Sequence, residues 1–207
     1  MRQRVAFDVY PYAAASTVLM PGRVRPDVPV RLTWSVPHPE LAGRMLTGIA
    51  AEWGVTLHEA CERLLPAGAI YFQMDEADVQ RILAHPGAMI GSDGLPHDAL
   101  PHPRLWGTFP RVLGHYARDL GLFSLEAAVH KMTGRTAAVF GLADRGVIRP
   151  GAFADLFDPA TIRDLADFDH PTRPAEGIVE TWVNGVSTYL PGRPDASAGR
   201  VLTGRPS

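Results

Sequence analysis

Apolar residues along this chain fall into short runs that alternate with longer amphipathic segments, an order typical of an α/β protein. The run Val5–Val9 predicts a first strand, which ends where Pro11 forces the preceding residue out of helical geometry. A second apolar run begins at Ala88 and leads into Gly91-Ser92-Asp93-Gly94. We therefore expect a buried strand that delivers the Asp93 carboxylate to the mouth of the fold, where loops after strands carry the chemistry.

Between and after these runs, apolar residues recur at helical spacing. Thr56 and Glu59 form a capping-box pattern, which predicts that a helix begins there. Asp75 is the predicted N-cap of the next helix, and the proline-containing segment His97–Gly107 is predicted to be a loop. The predicted helices span Glu40–Ala51, Thr56–Leu65, Glu76–Ala84, Phe109–Leu120, Ser124–Met132 and Thr133–Phe140.

The pattern changes after Asp144, where short β segments separated by turns replace the helices. Asn184-Gly185 is a hairpin turn signal between two such segments. The residues after Leu190 are rich in proline, glycine, alanine and arginine, a composition that predicts a disordered tail. The further predicted strands span Val28–Trp34, at a sheet edge, and Gly146–Ile148, Ala154–Phe157 and Ile178–Val183.

Composition limits the classes of function that this chain can have. It has 207 residues, 46% of them hydrophobic, and a formal net charge of -2, which argues against a nucleic-acid or membrane-surface role. The single cysteine, Cys61, excludes an internal disulfide and a metal site built on paired cysteines. No apolar run reaches the roughly 18 residues that span a bilayer, and no signal peptide is recognisable, so we expect a cytoplasmic protein.

Asp93 is the strongest candidate for chemistry. A carboxylate at the end of a buried strand can bind a metal ion or transfer a proton. An aspartate between a serine and a glycine is also a common residue of Asx-turns and helix N-caps. The sequence pattern alone leaves both interpretations open.

Three hydroxyl-bearing residues follow the first strand, and their hydroxyls could bind a carboxylate group: Tyr10, Tyr12 and Ser16. The alternative is a packed core tyrosine beside a turn serine, which we favour from the pattern alone.

The histidines form no His-x-His pair, and His97 and His102 are the ones close to Asp93 along the chain. Together with Asp93 they would provide three zinc ligands, but a proline-stiffened loop makes a poor metal cage. Cys61 falls within a predicted helix and is expected to be a small buried hydrophobic residue.

Several segments, taken in order, point to one known family. They are Asp8-Val9-Tyr10-Pro11-Tyr12 with Ser16-Thr17, Ile90-Gly91-Ser92-Asp93-Gly94-Leu95-Pro96, His102-Pro103-Arg104-Leu105-Trp106-Gly107-Thr108-Phe109-Pro110-Arg111-Val112-Leu113-Gly114, Lys131-Met132-Thr133, Asp144-Arg145-Gly146 and Gly151-Ala152-Phe153-Ala154-Asp155-Leu156. They resemble the N-acyl-D-amino-acid deacylase (D-aminoacylase) family of the amidohydrolase superfamily. Each segment is weak alone, but the resemblance covers nearly the whole chain to about Val186.

The resemblance implies a zinc-dependent TIM-like barrel with a flanking β-sandwich. Such enzymes hydrolyse the amide of an N-acyl-D-amino acid: the metal activates a water, and a strand-end aspartate takes its proton and passes it to the leaving amine. Asp93 matches that aspartate, both as catalytic residue and as metal ligand. Tyr10 and Ser16 match positions that hold the substrate's carboxylate.

The resemblance also implies an organisation of the chain as the C-terminal part of a (β/α) barrel. This part would carry an inserted small helical subdomain and a C-terminal β-sandwich segment. The implied ranges are 1–12 for a barrel strand and its exit, 13–75 for the insertion over the barrel mouth, 76–141 for the last barrel strand and helices, 142–190 for the β-sandwich segment, and 191–207 for a disordered tail.

Other family features have no counterpart in this sequence. The family's His-x-His, its cysteine ligand, its later histidine ligands and a substrate-binding lysine lie upstream of the Tyr-Pro-Tyr motif, and Cys61 falls in the insertion. The strand segment at Ala154–Phe157 is also shorter than in the family. We therefore expect an incomplete site that does not hold zinc stably alone and needs an N-terminal half encoded separately.

Two alternatives to this incomplete enzyme follow from the same residues. The first is a non-catalytic remnant or partner-binding module that keeps the fold without the metal site. The second, less favoured, is a free-standing enzyme that uses Asp93, His97 and His102, because a lone aspartate cannot bind zinc at useful affinity.

Overall fold

The computed structural model describes residues 5–94, 98–157, 161–193 and 196–203, and it confirms the predicted α/β class. The strands are β1 (Phe7–Val9), β2 (Ala15–Val18), β3 (Val30–Ser35), β4 (Ala67–Tyr71), β5 (Ala88–Ile90), β6 (Leu156–Phe157), β7 (Thr181–Val183) and β8 (Val186–Tyr189). The helices are α1 (Leu46–Trp53), α2 (Leu57–Leu64), α3 (Glu76–Ala84), α4 (Arg104–Arg111), α5 (Leu125–Met132) and α6 (Gly134–Val139). Short 3-10 helices span Pro21–Arg23 and Pro39–Leu41, and a π-helix spans Val112–Asp119. Among the described residues, no helix has the length and apolar character needed to cross a membrane.

The first sheet pairs β1 and β5 in parallel, with Phe7 opposite Ala88. The helix α3 precedes β5 and packs against it. Asp75 caps α3, as predicted, by accepting a hydrogen bond from the Ala77 N–H at 2.7 Å. Because parallel strands end at the same edge of a sheet, the segments that follow β1 and β5 lie close together. The candidate residues of both segments are therefore neighbours.

The second sheet has the order β2-β4-β3 and is antiparallel, with every residue of the central strand β4 buried. One buried cluster joins this sheet to α1 and α2. The predicted capping box is confirmed: the Thr56 hydroxyl accepts from the Glu59 N–H at 3.2 Å, and the Glu59 carboxylate accepts from the Thr56 N–H at 2.9 Å.

A helical subdomain was expected in this region, and the sheet is therefore a correction. The strands β2 and β4 were missed, β4 because Ala67-Gly68-Ala69 lacks the β-branched and aromatic residues that mark a strand. The small residues instead allow close packing in the sheet, since a Cβ at Gly68 would overlap the side chains of Thr33 and Trp34. The strand β3, by contrast, was predicted and lies at the sheet edge.

The helical segment after Asp93 begins earlier than predicted. The helix α4 starts at Arg104, inside the expected loop, and continues directly into the π-helix Val112–Asp119. Pro103, which lies in the expected loop, occupies the N-cap of α4, and Pro110 lies within the helix. The next helix, α5, begins where predicted, and it is capped by Ser124, whose hydroxyl accepts from the Ala127 N–H at 3.2 Å.

The third sheet has the order β6-β7-β8, and its hairpin turn is the one predicted: Asn184 and Gly185 have φ angles of 52° and 79°. The predicted strand at Gly146–Ile148 is wrong. Those residues form a turn, in which Gly146 has a φ of 81° that no strand residue adopts. Within the segment predicted to be disordered, the Ala198 carbonyl accepts from the Asn184 side-chain amide at 2.6 Å.

Candidate active site

Asp93 follows β5 in a left-handed backbone conformation, with a φ of 53° that is uncommon for a residue other than glycine. Its Oδ1 accepts a hydrogen bond from the Gly94 N–H at 2.7 Å, which fixes the side chain to its own turn. The side chain remains 64% exposed, and Oδ2 lies 2.6 Å from Nη2 of Arg104. The turn and functional interpretations are thus compatible, because the turn uses one carboxylate oxygen and presents the other.

Arg104, at the start of α4, is the residue that sequence reasoning missed as a candidate. Its side chain is only 4% exposed, and its Nη2 contacts Asp93 and also donates to the Ser16 carbonyl at 3.2 Å. Within the described residues, its buried Nε has no hydrogen-bond partner. A buried N–H without a hydrogen-bond partner is energetically costly, and a guanidinium is the cationic side chain best suited to pair with a carboxylate.

Tyr10 and Ser16 both border Arg104. The guanidinium carbon of Arg104 lies 4.5 Å from the centroid of the half-buried Tyr10 ring, a cation–π arrangement. Ser16 lies on β2 and contacts Arg104 through its backbone carbonyl, whereas the sequence suggested a role for its hydroxyl. The structure thus brings both residues to Asp93 through one arginine.

His102 is buried, at 2% exposure, and both ring nitrogens have protein partners. Nδ1 lies 3.0 Å from the Arg104 backbone nitrogen, and Nε2 lies 3.0 Å from the Ala14 carbonyl oxygen. Burial and the nearby Arg104 charge lower the pKa of His102 to about 3. The alternative zinc site of Asp93, His97 and His102 is therefore not supported through His102, and His97 lies outside the described residues.

A cavity of about 330 Å³ opens beside Asp93 at the end of β1. Asp8, on β1, contributes a second carboxylate to its wall. A Cβ at Gly91 would overlap the Asp8 carboxylate, so glycine at this position makes room for that side chain. The cavity is lined by Asp8, Val9, Tyr10, Tyr12, Met74, Val79, Ile82 and Asp93.

Tyr12 fixes the segment after β1 through a buried side chain. It is 5% exposed, and its hydroxyl donates to Oδ2 of Asp164 at 3.2 Å. Burial, reinforced by the Asp164 charge, raises the pKa of the Tyr12 phenol well above its usual value. Arg111 donates to the Pro11 carbonyl at 2.9 Å and lies over the Tyr12 ring, with its guanidinium carbon 5.1 Å from the ring centroid. The backbone that presents Tyr10 is therefore held by buried polar contacts.

The arrangement combines a presented carboxylate with a buried cation, which suits proton transfer to or from a ligand that itself carries an acid group. Zinc is implied by the family resemblance, so the donor set was tested for it. Among the described residues, no group of three or more histidine, cysteine, aspartate or glutamate side chains could hold a metal ion. Asp93 is engaged by Arg104 and Gly94, so these residues do not fit zinc by themselves.

Comparisons with known proteins assign the chain to a family. Residues 48–189 match the sequence model of the Amidohydrolase family. A D-aminoacylase of Alcaligenes xylosoxydans xylosoxydans is 61% identical over 190 residues, which are 91% of this chain and 39% of that protein. An N-acyl-D-glutamate deacylase of the same organism is 52% identical over 200 residues, 96% of this chain and 41% of that protein. The chain thus spans less than half the length of these relatives.

Among solved structures, the chain is similar to an N-acyl-D-glutamate deacylase from Bordetella bronchiseptica complexed with zinc and a phosphonate inhibitor, a mimic of the reaction tetrahedral intermediate. The TM-score is 0.90 at 52% identity, and the match covers 95% of this chain and 42% of that chain. At this level of identity and overlap, the likeness extends beyond the α/β class to the specific arrangement of elements seen in that enzyme.

Proposed function

Because this chain belongs to the amidohydrolase family, we propose that it supplies the acid/base and carboxylate-binding residues of a hydrolase that cleaves the amide bond of N-acyl-D-amino acids. The observation that carries this proposal is the contact between the presented Asp93 and the buried Arg104, 2.6 Å apart beside a cavity. The names of the similar D-aminoacylase and N-acyl-D-glutamate deacylase supply the substrate class.

In the proposed mode of binding, Arg104 receives the substrate's carboxylate. Nη2 is already held by Asp93 and by the Ser16 carbonyl, so the carboxylate would bind to the remaining N–H donors of the guanidinium, while the Tyr10 ring supports the guanidinium from one face. Ser16 holds Nη2 through its carbonyl, which restricts the rotation of the guanidinium. We assign Tyr10 and Ser16 to substrate binding on this basis.

In the proposed reaction, Asp93 takes a proton from the attacking water and returns it to the amine as the amide bond breaks. This role requires a carboxylate that reaches the cavity, and Asp93 lines the cavity with a side chain that is 64% exposed.

We further propose that β1 and β5 are strands of a TIM-like barrel, with residues 76–141 as the last barrel strand and its helices. The parallel pairing and the shared edge for Tyr10 and Asp93 support this assignment. Residues 13–75, which contain the second sheet, would be the insertion over the barrel mouth, and residues 142–190 would form the β-sandwich segment. The rest of the barrel would come from an N-terminal half.

A second candidate function is that of a partner-binding module without catalysis. It is favoured by exposed apolar side chains in and before β1, which pairs with β5 alone among the described residues: Val5 is 80% exposed and Phe7 38%. Such a strand edge could pair with another chain. The two candidates differ in one respect: only the hydrolase requires the carboxylate of Asp93.

The test is hydrolysis of N-acetyl-D-leucine by this chain, alone and mixed with the segment of the Alcaligenes D-aminoacylase that this chain does not match, in zinc-containing buffer. We expect hydrolysis in the mixture, none of the L-isomer, and a loss of about 10²–10⁴-fold with Asp93→Asn. Asp119→Asn, a change at an exposed aspartate, is the matched control. A mixture that forms a complex but hydrolyses no better with Asp93 than with Asp93→Asn would instead support the partner-binding module.

A further inference from the structure

We propose that His102 is a positioning residue, which holds Arg104 in the orientation that receives the substrate's carboxylate. The inference rests on the function proposed above, because it assigns a role to the residue behind the carboxylate-binding arginine. His102 does not reach the cavity that Asp93 and Tyr10 line. It acts on the site only through Arg104 and through the backbone of the segment after β1.

The tautomer of His102 follows from its two partners. The Arg104 backbone N–H can only donate, so Nδ1, 3.0 Å away, must be the accepting nitrogen. The Ala14 carbonyl can only accept, so Nε2, 3.0 Å away, must carry the proton. A single neutral form of the ring satisfies both partners, and turning the ring over would break both hydrogen bonds.

Three aromatic rings prevent that turn. The Tyr12 and Phe168 rings pack edge-on against His102, with centroids 5.2 Å and 5.1 Å away at interplanar angles of 88° and 77°. The Tyr10 ring approaches from another side, at 6.1 Å and 61°. At 2% exposure the imidazole has little free space, so its orientation is set by packing as well as by hydrogen bonds.

His102 and Ser16 together hold Arg104 at both of its ends. The imidazole accepts from the backbone N–H of Arg104, while the Ser16 carbonyl accepts from the guanidinium at 3.2 Å. Ala14 and Ser16 belong to the same segment, which leads from β1 into β2. The start of α4 is thereby fixed relative to the strand exit that presents Tyr10, which keeps the guanidinium next to both Tyr10 and Asp93.

The charges that face the imidazole favour its neutral form. Arg104 is a cation in contact with it, and the titratable groups Tyr10 and Tyr12 pack on the ring. A protonated ring would direct a second N–H at the Arg104 N–H and add a positive charge beside the guanidinium. Burial and the Arg104 charge accordingly lower the pKa of His102 to about 3.

Two substitutions separate the hydrogen bonds of His102. His102→Asn keeps an oxygen near the position of Nδ1 and can still accept from Arg104. His102→Gln keeps an amide N–H near the position of Nε2 and can still donate to Ala14. Both remove the ring, so a role in packing alone predicts equal effects. Positioning of Arg104 predicts unequal effects, with His102→Asn closer to the wild type.

The measurements use the full 207-residue chain with two probes, N-acetyl-D-leucine and N-acetyl-D-leucinamide, which lacks the carboxylate. We expect His102→Gln to weaken binding of the acid about tenfold or more, as the loss of one buried hydrogen bond implies, and His102→Asn to weaken it about threefold or less. Binding of the amide should be equal in all proteins, and the exposed His58→Gln is the matched control. Equal weakening by the two His102 variants would overturn the proposal.

Hydrogen exchange of the Arg104 backbone amide provides a readout that does not depend on binding. We expect it to accelerate about tenfold in His102→Gln and to stay near the wild-type rate in His102→Asn. Equal exchange in all three proteins would overturn the positioning role. If the wild-type chain does not prefer the acid over the amide, the carboxylate site of the proposed function fails, and hydrogen exchange still shows whether His102 holds Arg104.

Discussion

The two sheets beside the candidate site differ in how completely the described residues cover them. In the second sheet, the central strand β4 is buried at every position, between β2 and β3 and under α1 and α2. In the first sheet, β5 is fully buried, whereas Phe7 and Asp8 of its neighbour β1 are exposed. The central strand of the second sheet is therefore covered on all sides, whereas β1 of the two-stranded first sheet is exposed.

The candidate site takes residues from both sheets. Asp93 and Arg104 follow β5 of the first sheet, and Ser16 lies on β2 of the second sheet. A third segment, which contains Asp164 and Phe168, links the two sheets. Arg31 of β3 donates to the Phe168 carbonyl at 2.8 Å, and Asp164 accepts from Tyr12, which follows β1. We therefore expect the second sheet and these hydrogen bonds to restrain the site more than β5, the strand that leads to Asp93.

The largest expected effect tests the difference in packing. Leu64→Ala empties a fully buried position in the core between α2 and the second sheet and should lower the free energy of unfolding by about 3 kcal/mol. Phe7→Ala, at a position 38% exposed on β1, should lower the free energy of unfolding of the isolated chain by less than about 1 kcal/mol. Urea denaturation of both variants measures the contrast. A cost for Phe7→Ala equal to that for Leu64→Ala would show that β1 is as tightly packed as β4.

A smaller effect tests the tight contact between Gly91 and Asp8 in the first sheet. Gly91→Ala places a Cβ against the Asp8 carboxylate and should cost about 1–3 kcal/mol of unfolding free energy. The double variant Asp8→Ala with Gly91→Ala should recover most of this loss, because the clash disappears. Gly48→Ala in α1 meets no atom within 4 Å and should instead stabilise the chain by about 0.5–1 kcal/mol. An unrecovered loss in the double variant would mean that Gly91 is needed for another reason.

Local chemistry explains which parts of this structure could be predicted from the sequence. The capping box of α2 and the Asn184-Gly185 turn depend on neighbouring residues, and both were found. Asp93 was found because an apolar run leads directly to it. Arg104 was missed because its burial and its contact with Asp93 arise only when α4 packs on the strand exits. His102 was considered only as a zinc ligand, because its hydrogen-bond partner Ala14 lies 88 positions away along the chain.

The smallest expected effect tests the link through Asp164, by the way the free energy of unfolding depends on pH. Burial raises the pKa of Asp164 above its ordinary value of 3.8, although hydrogen bonds from Ala166 and Tyr12 oppose the shift. A carboxyl group whose folded-state pKa is raised binds its proton more tightly in the folded chain. Its contribution to stability is therefore complete below the unfolded pKa and is lost as the pH rises through the folded pKa.

Asp164→Asn should remove that loss while keeping the shape of the side chain. Urea denaturation between about pH 4 and pH 7 should show the wild type losing stability relative to Asp164→Asn as the pH rises. Asp119→Asn, at an exposed aspartate, should follow the wild type. A wild type that instead gains stability relative to Asp164→Asn over this range would mean that the contacts of Asp164 with Tyr12 and Arg111 outweigh its burial, and that the link strengthens when Asp164 is charged.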